Sequence, residues 1–201
     1  MKLRNKNLKI LKSNHVYSEE MEHDACGVGL VASTEGLKSR KVVEYGIDAL
    51  KAVWHRGAID ADGKTGDGAG IHIEIPKDFF EEKIEVTGHK HDNSELCVGM
   101  IFLPRNDYSA QEQCRTIVES ELTKRNFSIY GWRQVPVDPS VLGEKAEQTR
   151  PEITQVLFTY NDKKVVNKSL EQKLYETRRV IEKEALNNQL NNFYICSFSS
   201  K

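Results

Sequence analysis

Cys26 is the residue of this chain whose type and surroundings most directly suggest chemistry. It lies within residues 23–30, His-Asp-Ala-Cys-Gly-Val-Gly-Leu, where a short apolar segment predicts a strand over residues 26–33. If residues 1–25 are removed as a leader, Cys26 carries a free α-amine beside its thiol. A terminal amine has a pKa near ~8, so it can accept the thiol proton at neutral pH. Cys26 would then supply its own base as a nucleophile, whereas the alternative is a small buried hydrophobic residue.

Arg56 is the second candidate, in the triplet His55-Arg56-Gly57 at the end of a helix predicted over residues 39–54. An arginine guanidinium offers a planar pair of donors to a substrate carboxylate. The same triplet also fits a helix C-cap, in which a glycine follows the last turn and cations lie near the helix's negative end. The sequence leaves both interpretations open.

A third candidate is the run Thr65-Gly66-Asp67-Gly68-Ala69-Gly70. Its glycines would let a ligand or another backbone segment approach closely. The alternative is a flexible turn that leads into a strand, which the alternation of apolar and polar residues predicts over 69–75. By itself this run supports either interpretation.

Two familiar ligand loops are excluded around this run. A phosphate loop ending at Gly63-Lys64-Thr65 would need glycine where Ala58 stands. Asp60 and Asp62 begin like a calcium loop, but Ile71 occupies the place of its final glutamate. The sequence therefore predicts no metal site here.

Composition and charge narrow the function classes. The chain has 201 residues, 38% hydrophobic and 29% charged, with a net charge of −1, which is typical of a globular protein. We expect no nucleic-acid partner, because no basic excess is present, and no membrane span, because no apolar run approaches ~20 residues. The four cysteines are widely spaced and form no Cys-x-x-Cys pair, which favours a cytoplasmic location. Cys97, Cys114 and Cys196 are expected on apolar faces.

Hydrophobic periodicity predicts an α/β domain with more strands than helices, arranged as stacked sheets with helices outside. Predicted helices cover residues 39–54, 77–84, 109–125 and 168–190, and predicted strands cover 26–33, 69–75, 96–103, 127–137, 153–160 and 193–198.

Taken together, the motifs resemble one family. Cys-Gly-Val-Gly, a helix ending in His-Arg-Gly-Ala, and Thr-Gly-Asp-Gly-Ala-Gly-Ile before a proline-terminated strand resemble the glutaminase domain of the glutamate synthase large subunit. Residues 193–200, Phe-Tyr-Ile-Cys-Ser-Phe-Ser-Ser, also resemble a segment of that enzyme. This domain is a class II glutamine amidotransferase of the N-terminal-nucleophile (Ntn) hydrolase fold. The resemblance implies a four-layer αββα sandwich, incomplete in this chain.

The resemblance also implies roles for particular residues. Residues 1–25 match a propeptide or leader, and residues 26–201 match the N-terminal part of the amidotransferase type-2 domain. Cys26 matches the catalytic nucleophile, and Arg56 matches the arginine that binds the α-carboxylate of L-glutamine. The possible active-site loop consists of Thr65, Gly66, Asp67 and Gly68. The implied reaction releases ammonia from glutamine for transfer to 2-oxoglutarate in glutamate biosynthesis.

The resemblance covers only part of the family's domain, and the missing part limits the activity that we expect. The family's oxyanion-hole Asn-Gly pair and its amino-group-binding aspartate would lie beyond residue 201. We therefore expect an N-terminal piece of a larger protein with little activity alone, since losing one oxyanion donor costs about 10²–10³-fold in rate. FMN and an iron–sulfur cluster are implied for the full-length protein, not for this chain. Its partners would be the remaining synthase domains and a small subunit.

Two alternatives to the glutamate synthase interpretation stay open. The chain could belong to another class II amidotransferase that passes ammonia to a different acceptor. It could also be a non-catalytic binding or regulatory module on the same fold.

Overall fold

The computed structural model describes residues 27–54, 57–91 and 94–201. These residues form two compact units. The first unit holds the described residues up to Ala58 together with Gly66–Ile71, and the second holds Ile59–Thr65 and His72–Lys201. The leader, Cys26 and Arg56 lie outside the described residues.

The described part of the first unit contains one helix, α1, over Arg40–Ala52. Ser39 begins it, because its hydroxyl oxygen accepts a hydrogen bond from the Lys41 N–H at 3.1 Å, as an N-cap serine does. The apolar stripe that predicts this helix is half-buried and the charged positions are exposed. The segment after the glycine-rich loop packs on it: a Cβ at Gly46 would lie 3.2 Å from Ile71 Cδ1.

Two predicted strands are absent from the described residues. Residues 27–33 and 69–75 have no strand structure, and Val28 and Leu30 are 94% and 93% exposed. Apolar or alternating side chains suit a strand, but a strand forms only where another one pairs with its backbone. Neither segment has such a neighbour in the part of the chain that the structure describes, so both predictions were wrong.

The second unit carries the remaining elements, and its predicted strands and long helices are confirmed. Residues 138–152, the connection between two of the predicted strands, contain the additional short helix α4 (Glu144–Thr149) and one 3₁₀ turn. The described residues thus hold five α-helices and four strands, which reverses the expected excess of strands. In chain order the elements are α2 Lys77–Val86, β1 Leu96–Leu103, α3 Tyr108–Lys124, β2 Phe127–Gln134, α4 Glu144–Thr149, β3 Glu152–Tyr160, α5 Lys168–Asn187 and β4 Tyr194–Ser199.

The four strands form one antiparallel sheet with the order β2-β3-β1-β4. The central pair is aligned so that Val98 lies opposite Leu157. Both central strands are almost wholly buried, because helices cover the two faces of the sheet. This explains why their sequences are continuous apolar runs instead of alternating ones.

The larger core lies between the sheet and the helices α3 and α5. Phe158 and Ile101 face this side from the central strands, and Leu122 and Leu174 meet them from the two helices. On the opposite face, α2 buries Ile84 against a smaller cluster. The α/β fold class is therefore confirmed, with the antiparallel sheet as the scaffold of the second unit.

Candidate active site

The two residues with the strongest predicted roles, Cys26 and Arg56, lie outside the described residues. The structure does describe the chain that follows Cys26, from Gly27 onward, and the residues next to the His55-Arg56 pair. It also describes the whole Thr65–Gly68 loop. The described part of the predicted site is therefore the loop and the backbone of Val53, Trp54, Gly57 and Ala58.

The backbone around Arg56 does not form the predicted helix cap. Helix α1 already ends at Ala52, where Val53 is the C-cap and its N–H donates to Leu50 O at 3.3 Å. Gly57 lies beyond this end and donates its N–H to Trp54 O at 3.0 Å, closing a separate turn. The interpretation of Gly57 as the capping glycine was wrong, because the helix ends at Ala52 and Val53 is its C-cap.

Asp67 connects the glycine-rich loop to the residues after Arg56. Its carboxylate Oδ2 accepts a hydrogen bond from the Ala58 N–H at 2.9 Å. Its own N–H donates to Ala58 O at 3.2 Å. Gly66 is needed beside it, since a Cβ there would lie 2.9 Å from Ala58 O. Within the first unit, the structure thus brings Gly66 and Asp67 against the segment that begins with Arg56.

Thr65 belongs to a turn that Asp62 organises in the second unit. Asp62 Oδ1 accepts hydrogen bonds from the Lys64 N–H at 2.9 Å and the Thr65 N–H at 2.7 Å. The Thr65 hydroxyl donates to Asp62 Oδ2 at 2.5 Å. These bonds, led by the one from the Thr65 hydroxyl, lower the pKa of Asp62 to about 2, so its carboxylate stays charged at neutral pH.

The loop residues therefore divide by what their side chains do. The Thr65 hydroxyl donates to the Asp62 carboxylate, and the Asp67 carboxylate accepts from the Ala58 N–H. Gly68 has open space where a side chain would be, with no atom within 4 Å of a Cβ built there. The chemical role of the loop remains a prediction.

Sequence reasoning missed the residues that hold this turn. Asp62 was identifiable, because an aspartate directly before a glycine is a common turn pattern. Lys145 was not: its Nζ lies 2.6 Å from Asp60 Oδ2 although the two residues are 85 positions apart. Gly143 is also far from Thr65 in the sequence, so only the folded structure shows that the two residues pack together.

Two of the three described cysteines are not alternative nucleophiles. Cys97 and Cys114 are buried, and burial raises the pKa of both thiols, that of Cys114 to about 11. Thiols with such values stay protonated at neutral pH. Cys196 is exposed, which corrects its predicted place on an apolar face. A regular strand would bury every second residue, but the pairing of β4 with β1 shifts its register near Ile101. The two core residues of β4, Ile195 and Phe198, are therefore three positions apart instead of two.

The described residues also bear on metal binding and on membrane insertion. No group of three or more His, Cys, Asp or Glu side chains among them could hold a metal ion. No helix in the same ranges has the length and apolar character to cross a bilayer. Two shallow depressions lie in the second unit, one beside Lys173 and one beside Tyr160, and the Thr65–Gly68 loop lines neither of them.

Comparison with known proteins shows which family this chain resembles. A model of the class-II glutamine amidotransferases matches residues 26–201. The glutamate synthase [NADPH] large chain of Azospirillum brasilense is 52% identical over 195 residues, which cover 97% of this chain and 13% of that protein. The ferredoxin-dependent glutamate synthase of Pyropia yezoensis is 36% identical over 195 residues, 95% of this chain and 12% of that protein. Ferredoxin-dependent glutamate synthase 2 of Synechocystis is 36% identical over 181 residues, with 90% and 11% covered.

These findings confirm the resemblance that the motifs indicate. The chain spans only 11–13% of the length of these curated relatives. The mixed α/β structure, with its antiparallel sheet and covering helices, is consistent with the Ntn-hydrolase fold of that family. This chain belongs to the class-II glutamine amidotransferases.

Proposed function

We propose that residues 26–201 are the N-terminal part of the glutaminase region of a glutamate synthase large chain, and that residues 1–25 are a leader. The observation that carries the proposal is the 52% identity to the Azospirillum brasilense large chain over 97% of this chain. The family match begins at Cys26, which supports this residue as the mature N-terminus and nucleophile.

In the proposed reaction, the two functional groups of a terminal Cys26 and a water molecule make and break the covalent bonds. The thiolate sulfur attacks the side-chain amide carbon of glutamine while the α-amine takes the thiol proton. The tetrahedral oxyanion collapses with loss of the C–N bond, and the amine passes that proton to the leaving ammonia. Water then hydrolyses the remaining thioester. Glutamine and water thus yield glutamate and ammonia, and the thiol is regenerated.

The proposal extends to the parent protein. Ammonia would be transferred to 2-oxoglutarate, with FMN and an iron–sulfur cluster held by regions outside this chain. Two of the described cysteines, Cys97 and Cys114, are packed in the core and are not placed to hold such a cluster. Identity is higher to the NADPH large chain than to the ferredoxin-dependent proteins above, so we propose NADPH as donor and a small subunit as partner. We place the protein in the cytoplasm, because its few cysteines form no disulfide pattern.

Leader removal provides the direct test of the proposal. Mass spectrometry and N-terminal sequencing of the active, purified full-length synthase should find a chain that begins at Cys26. The reason is that the α-amine of Cys26 can serve as the base only when it is free, because in a peptide bond to the leader it is an amide. Glutamine-hydrolysing protein that still carries Met1 would contradict the proposal. It would leave the family assignment intact and favour a different base.

We further propose Arg56 as the side chain that binds the glutamine α-carboxylate. Arg56→Gln should raise the KM for glutamine about 10- to 100-fold with a smaller change in kcat, since a hydrogen bond between charged groups contributes about 1.5–3 kcal/mol. Steady-state kinetics of glutamine hydrolysis measures this effect.

Arg40→Gln is the matched control for Arg56. Arg40 is the first residue of helix α1, and its side chain is 74% exposed beside Glu44. Its replacement should leave KM unchanged, because exposed ion pairs contribute little. If Arg56→Gln lowers the melting temperature while KM stays constant, Arg56 is a structural residue and not a substrate ligand.

A further inference from the structure

We draw no further inference here: the strongest candidate, the partly exposed apolar patch that Met100, Phe102, Ile153 and Tyr194 form on the α2 side of the sheet, carries none, because nothing in the described part of the second unit shows what covers it.

Discussion

Replacing Cys26 by alanine is expected to abolish glutamine-dependent glutamate formation by the full-length protein. The sulfur is the atom that forms the proposed thioester, and the two buried thiols of the described residues cannot take its place. Cys97 and Cys114 are buried and protonated at neutral pH. Loss of a covalent nucleophile typically costs more than about 10³-fold in kcat, so glutamine hydrolysis by Cys26→Ala should fall by at least that factor.

The measurement separates loss of the nucleophile from loss of the fold. Glutamate formation from 2-oxoglutarate should persist in Cys26→Ala when ammonium is supplied directly, because that step does not use the thiol. Cys196→Ser is the matched control at an exposed cysteine, and both of its activities should equal those of the unsubstituted protein. Glutamine-dependent activity that survives in Cys26→Ala would refute the assignment of the nucleophile.

Replacing Gly99 by alanine is expected to loosen the centre of the sheet. A Cβ at this position of β1 would lie 2.7 Å from two ring carbons of Phe198 on β4 and 2.7 Å from Val156 Cγ1 on β3. Both neighbours belong to the larger core beneath α3 and α5. Overpacking of this kind typically costs 1–3 kcal/mol. We expect a loss of about 2 kcal/mol, because neither neighbour can move without disturbing the core.

Amide hydrogen exchange in the full-length protein measures this effect locally. Global unfolding is less suitable, because a large protein does not unfold in a two-state transition. Peptides covering residues 96–103 and 152–160 should exchange roughly 30-fold faster in Gly99→Ala, if exchange follows local opening. Gly70→Ala is the control, since a Cβ there has no atom within 4 Å. Unchanged protection of β1 would show that the core around Phe198 adapts to the extra methyl. If the double variant Gly99→Ala/Phe198→Leu loses less stability than the two single variants together, the destabilisation comes from a clash between the new methyl group and Phe198.

Some elements are encoded locally, so their prediction from the sequence is reliable. The apolar run Leu96–Leu103 is a buried strand as expected, and the periodic stripe of residues 168–190 is the helix α5. Each pattern describes the burial of its own segment. The predicted strands at 26–33 and 69–75 failed because strand formation depends on a partner elsewhere in the chain, which local alternation does not encode.

The candidate site divides in the same way. The order of short motifs around Cys26, Arg56 and the Thr65–Gly70 run was sufficient to indicate the family, because such motifs are contiguous in sequence. Only the tertiary structure decided that Asp67 hydrogen-bonds to Ala58 and that Gly143 supports the turn at Thr65. Close packing and hydrogen bonds act between atoms that are near in space. Residues that lie 85 positions apart in the chain, as Asp60 and Lys145 do, become neighbours only when the sheet and its helices have folded.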